Sequence, residues 1–229
     1  MTISVVIPIY RSAAVLPELV ARLTAMLQAQ SPTFEIVAVN DACPDGSDTI
    51  LRALAHEYPH LRIMTHPRNL GQQRAVLTGI RATTGQFVVV LDADLQDAPE
   101  DIPTLLTSLA QRRVDAVFAG RRGIYQSRSR MATSRLFKGL LASLLQVPRD
   151  AGSFVAMTRR TADAIKGYDG PHPYLLALVG ATRLPIMSIP VPRSRRPVGH
   201  SSYTAFGRLR FAARALRTAW AIRNHTLTS

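Results

Sequence analysis

Phe87-Val-Val-Val-Leu-Asp-Ala-Asp-Leu-Gln96 is the stretch on which the reading of this chain turns. The apolar run from Phe87 to Leu91 is rich in β-branched residues and suits a strand buried on both faces, as strands of parallel sheets are. It ends in two carboxylates separated by one small residue. In extended chain alternate residues face the same way, so Asp92 and Asp94 can share one hard cation while Ala93 turns aside. Gln96, two positions on, offers a further oxygen ligand. Ligands of open α/β sheets bind at the carboxyl ends of the strands, and this pair falls there. The alternative is that Asp94 or Asp97 caps the helix expected to begin near Pro99.

Outward from this strand, residues 1–120 alternate short apolar runs with longer amphipathic stretches. Strands are expected at Ile3 to Tyr10, Glu35 to Asn40, Leu61 to Thr65, Phe87 to Leu91 and Ala116 to Ala119. Helices are expected at Leu16 to Ala29, Asp48 to Glu57, Gln72 to Ala82 and Glu100 to Gln111. That rhythm is the signature of βαβ units, so the fold class is α/β, with an open, mostly parallel sheet flanked by helices. Beyond Gly120 the rhythm changes to a helix over Arg128 to Leu145, a loop, a strand at Phe154 to Thr158 and a helix starting near Thr161. Pro185 to Gly199 is too rich in proline for helix, whereas Gly207 to Arg223 forms an amphipathic helix with an arginine stripe. Residues 1–200 read as one catalytic domain, and 201–229 as a basic helix and tail.

Composition narrows the function classes. At 229 residues and 47% hydrophobic content, the chain buries one sizeable core. The single cysteine, Cys43, excludes an internal disulfide and any multi-cysteine zinc site. Arginines interrupt every apolar run of the C-terminal half, so no membrane span is expected, and the start carries no secretory pattern; a cytoplasmic location follows. The net charge is +13, and nine arginines with no acidic residue follow Asp169. Such asymmetry calls for a polyanionic partner: substrate phosphates, the inner face of an anionic membrane, or nucleic acid. Against nucleic acid, no recognition motif is present and few aromatics interleave with the arginines.

The runs Asn69-Leu-Gly-Gln-Gln-Arg-Ala-Val-Leu-Thr-Gly-Ile80 and Thr84-Gly-Gln-Phe-Val-Val-Val-Leu-Asp-Ala-Asp-Leu-Gln-Asp-Ala-Pro-Glu-Asp-Ile-Pro103 together resemble family-two glycosyltransferases of the polyprenyl-phosphate sugar synthase branch. Val5-Val-Ile-Pro-Ile-Tyr10 and Arg196-Pro-Val-Gly-His-Ser-Ser-Tyr203 extend the resemblance to nearly the whole chain. It implies the GT-A nucleotide-sugar-binding fold, an inverting transfer, a nucleotide-sugar donor (UDP-sugar before GDP-sugar), a polyprenyl-phosphate acceptor, and Mg²⁺ or Mn²⁺. Displacing a sugar from a nucleoside diphosphate leaves concentrated negative charge, which such a cation stabilises.

Carried over by position, the resemblance sets Pro8, Tyr10 and Asp41 at the nucleoside, Gly71 where backbone approaches the nucleotide, and Asp92 and Ala93 along the nucleotide-sugar. Asp41 is suited to accept hydrogen bonds from a base edge; for Tyr10 strand-end packing, and for Asp41 and Gly71 a turn role, are the competing readings. Arg121 and Arg130 are placed to reach phosphates, and Arg196 to clamp the diphosphate. Asp150 matches a carboxylate near the acceptor, a general base if the acceptor is a hydroxyl, a cap otherwise. The chain departs from the family's usual pattern at Arg11-Ser12, at Asn40-Asp41-Ala42-Cys43 and at Ser202. An enzyme acting on a soluble or lipid-linked glycan hydroxyl, and an inactive nucleotide-sugar-binding relative, are the alternatives. The terminal helix is expected to touch an anionic membrane or a membrane partner protein.

Overall fold

The apolar residues of the first strand, β1 (Thr2–Ile9), divide by parity. Ile3, Val5, Ile7 and Ile9 enter one hydrophobic cluster and Val6 another. A strand apolar on both faces belongs in the middle of a sheet covered by helices on each side. In the computed structural model, which describes residues 1–121, 143 and 146–192, β1 occupies that position. The sheet has seven strands in the order β3-β2-β1-β4-β6-β5-β7. The others are β2 (Thr33–Asn40), β3 (Leu61–Thr65), β4 (Phe87–Val90), β5 (Ala116–Arg121), β6 (Val155–Thr158) and β7 (Ile186–Val191). Among the described strands only β6 runs against its neighbours, pairing antiparallel with β4 and β5.

Among the described residues these helices cover the sheet: α1 (Leu16–Gln30), α2 (Ser47–Glu57), α3 (Gln72–Ala82), α4 (Ile102–Arg112), α5 (Arg159–Lys166) and α6 (Leu175–Ala181). The buried stripes of α1, α2 and α4 (Leu19, Leu23, Leu51 and Leu105 among them) pack on the odd-numbered residues of β1 and β4. Val76 and Ile80 of α3, Ile165 of α5 and Leu178 of α6 pack on Val6, Val88, Val90 and Phe118 on the other face. Helix α3 lies unusually close to the sheet, because a Cβ on Gly79 would collide with the Val6 side chain. This close approach brings the start of α3 to the carboxyl edge of β4.

The α/β expectation and the alternating order stand. Boundaries differ by a residue or two: a short 3-10 turn at Pro99–Asp101 precedes α4, and α5 begins at Arg159, where the Thr158 hydroxyl accepts from the Thr161 amide. Two elements went unread, α6 and β7. Pro190 falls within β7, which pairs with β5 alone among the described strands, and an edge strand tolerates the missing N–H. Pro8 is similarly accommodated in β1, since the β1–β4 ladder has already ended at Val6–Val90. The expected helix over Arg128 to Leu145 lies outside the described residues save Ser143, as does the basic helix of 201–229.

Candidate active site

Between β1 and β4 the strand order reverses, and the crevice above that switch point is where open α/β sheets bind ligands. The loops after β1, β2, β3 and β4 all open onto this edge. Three of them hold a non-glycine residue in the left-handed region: Arg11 (φ 54°), Ala42 (φ 51°) and Leu95 (φ 56°). Each costs about 1 kcal/mol or more, and such strain persists where surrounding contacts fix it, typically at functional sites.

Past the end of β4, burial alternates as the sequence requires. Ala93, Leu95 and Asp97 are buried, whereas Asp92, Asp94 and Gln96 are partly exposed on the opposite side. The Asp94 carboxylate accepts the Gln96 amide at 3.1 Å. Asp92 is held from two directions: Gln72 Nε2, at the first position of α3, donates to one oxygen, and Ser153 Oγ to the other, both at 2.6 Å. Ser153 reaches this spot because β6 runs antiparallel, with Val155 opposite Val90, so the residues before it arrive at the carboxyl edge. Gln72 and Ser153 are contacts that sequence reasoning missed. Gln72 stood within a quoted motif, but nothing local to Ser153 announces it.

Asp150 comes to the edge by the same route. Its carboxylate rests against Gly120 of β5, where any Cβ would strike it, and accepts a hydrogen bond from Ser188 Oγ of β7 at 2.7 Å. The residue is exposed. Arg121 ends β5. Arg130 and Arg196 lie outside the described residues.

At the other end of the crevice, Tyr10 is 43% exposed, with the Arg11 guanidinium 5.5 Å from its ring centroid. The loops after β1 and β2 are clasped together: Cys43 Sγ accepts from the Arg11 amide at 2.7 Å and donates to Asp45 Oδ1 at 2.6 Å, and Asp45 Oδ2 accepts from the Ala13 amide at 3.0 Å. Burial raises the Asp45 pKa, but hydrogen bonds from Cys43, Ser47 and Ala13 outweigh it and hold the group at about 2.

The structure describes the surroundings of three residues expected at the nucleotide-sugar. Asp41 is 1% exposed; its oxygens accept from His66 Nδ1 (2.7 Å), Leu70 N and Gly71 N (2.8 Å each), so it organises a loop rather than offering an open acceptor to a base. Pro8 is buried within β1 and supports the edge from beneath. The Ala93 side chain packs into the core. Gly71, by contrast, needs its glycine: φ is 91° at the residue just before α3.

The donor set is hard oxygen, from Asp92, Asp94 and Gln96, which fits Mg²⁺ or Mn²⁺. Among the described residues no group of three His, Cys, Asp or Glu gathers to hold a metal. Two carboxylates with an amide oxygen would leave coordination positions for phosphates. No helix among the described residues is long and apolar enough to cross a membrane.

Comparison with known proteins accords with this geometry. The undecaprenyl-phosphate 4-deoxy-4-formamido-L-arabinose transferase of Enterobacter sp. (strain 638) is 33% identical over 205 residues, 88% of this chain and 62% of that protein. The chain thus spans a little over three-fifths of the curated relatives it matches. A mannosyltransferase from Pyrobaculum calidifontis, solved with GDP-Man and Mn²⁺, shares its fold at a TM-score of 0.65 and 22% identity, covering 96% of this chain and 64% of that one. Glucosyl-3-phosphoglycerate synthase from Mycobacterium tuberculosis, solved with Mn²⁺, UDP and phosphoglyceric acid, gives 0.67 and 18%, covering 96% and 78%. The fold is therefore GT-A. The sequence profile of Glycosyl transferase family 2 matches residues 4–165, and the chain belongs to that family.

Proposed function

We propose that residues 1–200 form the catalytic domain of an inverting, metal-dependent glycosyltransferase that moves a sugar from a UDP-sugar, in preference to a GDP-sugar, to a polyprenyl phosphate. The observation that carries this reading is the pair Asp92 and Asp94, both partly exposed just past the end of β4 at the switch point, with Asp92 braced by Gln72 and Ser153. With Gln96 they would hold Mg²⁺ or Mn²⁺, which neutralises charge on the departing nucleoside diphosphate when bound.

The protein's own groups then divide the work. Exposed Tyr10 offers a ring face for the base, and Arg11 beside it carries positive charge to the nucleoside end. Arg121, Arg130 and Arg196 are assigned to phosphates. A phosphate acceptor is already an anionic nucleophile, so it requires orientation and charge neutralisation more than deprotonation. The 33% identity to an undecaprenyl-phosphate sugar transferase supports the lipid acceptor. The basic segment 201–229 is assigned to an anionic membrane surface or a membrane partner protein, which sets the enzyme on the inner face of the membrane.

A second reading draws on Asp150. Its exposed carboxylate, steadied by Ser188, is placed to take a proton from a glycan hydroxyl. One experiment separates the two: incubate UDP- and GDP-sugars with Mn²⁺ or Mg²⁺ and a short polyprenyl phosphate, comparing wild type with Asp94→Ala. Metal-dependent lipid-phosphate sugar that the substitution abolishes is the expected result. Turnover on glycan hydroxyls alone, lost in Asp150→Asn, favours the second reading; nucleotide binding with no turnover on any acceptor marks an inactive relative.

A further inference from the structure

We infer that His66 is a positioning residue for the nucleotide donor, acting through Asp41 on the two amides that lead into α3. The inference rests on reading the cleft as a nucleotide-sugar site. His66 leaves β3 buried, 8% exposed, with its backbone amide donating to Asn40 O at 2.9 Å. Its ring joins two elements: Nδ1 lies 2.7 Å from Asp41 Oδ1, and Nε2 lies 3.0 Å from Thr78 Oγ1 on α3.

The network assigns the proton. Leu70 N and Gly71 N can only donate, so each Asp41 oxygen accepts at least one hydrogen bond. Nδ1 is assigned as a second donor to Oδ1. The Thr78 hydroxyl can donate to Nε2 or accept from it, so the chain is satisfied whether the imidazole is neutral or charged.

What the chain fixes is the loop. Asp41 sits at the end of β2, and the amides it grips belong to Leu70, which is 43% exposed at the crevice edge, and to Gly71, held at φ 91°. With His66 in place the carboxylate has one orientation, and the loop wall beside the nucleoside end is set before the donor arrives. Without it, a buried charge loses one of its three donors and the two loop amides lose their fixed anchor. The next residue, Gln72, holds Asp92, so the same loop registers the nucleoside end against the carboxylate pair.

The test uses three substitutions. His66→Asn keeps an amide N–H near the position of Nδ1 and should rescue; His66→Gln carries its amide toward Thr78 and should not; His66→Leu removes both bonds. Calorimetry with UDP and with GDP in Mn²⁺, and donor kinetics, give the readout. Leu and Gln are expected to raise the nucleotide Kd and the donor KM about tenfold, the scale of one hydrogen bond to a charged group, with kcat changed far less. Asn should stay within about threefold of wild type. Amide exchange at residues 70 and 71 should quicken in Gln but not in Asn. If Leu does not fold, the contrast of Gln with Asn decides. Folded Gln binding nucleotide as tightly as wild type, or Asn binding as weakly as Gln, overturns the inference. Wild type without affinity for either nucleotide removes the underlying reading, and this one with it.

Discussion

Glu35 and Asp41 stand at opposite ends of β2, and each gathers hydrogen bonds around a carboxylate. At the amino edge, Glu35 accepts from Ser4 Oγ on β1, from the amide and hydroxyl of Thr84, and from Arg62 on β3. At the carboxyl edge, Asp41 accepts from His66 and from the amides of Leu70 and Gly71. The chemistry is alike and the partners are not. Glu35 ties together strands and the residue pair leading into β4, so its bonds serve the sheet. Asp41 ties down a loop that opens onto the crevice. A well-satisfied buried carboxylate is therefore no marker of a site by itself; the edge of the sheet on which it stands decides.

The contrast can be broken by substitution, and the largest effect belongs to the crevice. Asp94→Ala should lower turnover by about a thousandfold or more while the melting temperature stays within a few degrees, because the lost interaction is with the reacting charge. A variant that keeps its turnover would sink the assignment of this pair. Next comes Glu35→Ala, expected to cost about 1–2 kcal/mol of stability by leaving the buried Ser4 hydroxyl without its acceptor and releasing Thr84 and Arg62, read by denaturant titration. The folded variant should bind nucleotide as wild type does; a weaker Kd at 25 °C would show that the amino edge reaches the site after all.

Gly120→Ala sharpens the comparison on the acceptor side. The new methyl displaces the Asp150 carboxylate and meets the Ile189 carbonyl, so transfer should fall several-fold, with a stability cost of about 1 kcal/mol and unchanged nucleotide affinity. The smallest effect is on acid stability. Burial works to raise the Glu35 pKa, but the Thr84 amide, Ser4, Arg62 and the Thr84 hydroxyl together hold it below its ordinary value. Asp45 is held at about 2. A carboxylate depressed in the folded state contributes stability above its unfolded pKa and loses it as pH falls through the folded value. Stability should thus decline from the usual carboxylate range down toward pH 2, with a shallower slope in Glu35→Gln. Because Asp45 is exposed, Asp45→Asn should change that slope only slightly.

Much of this was legible along the chain. Alternation of apolar runs with amphipathic stretches gave the strands through β5, and the apolar run ending at Leu91 set Asp92 and Asp94 just past the end of β4. Less legible were features that depend on which strand lies beside which. The short apolar run Leu175–Ala181 has no amphipathic period, and the prolines from Pro185 onward excluded helix without announcing β7, which pairs on one side only among the described strands. Ser153 and His66 act through partners far away in sequence, so no spacing rule finds them. The surroundings of Asp41 are hidden for a related reason. Its neighbours in the sequence suggest an open turn, whereas its real surroundings are a histidine and two amides from the loop after β3.

The reversed direction of β6 has a bearing on how such a chain can diversify. Because β5 ends and β6 begins at the same edge, the stretch joining them leaves and re-enters the sheet from one side, and its length enters no strand register. Lengthening a loop carries only a logarithmic entropy penalty, about 0.6 kcal/mol per doubling. Short of Asp150 and Ser153, this junction is thus a place where material can be spliced in or exchanged while Asp92 and its two braces stay where they are. A swap of residues 122–149 between relatives should therefore leave the sheet and both braces of Asp92 intact.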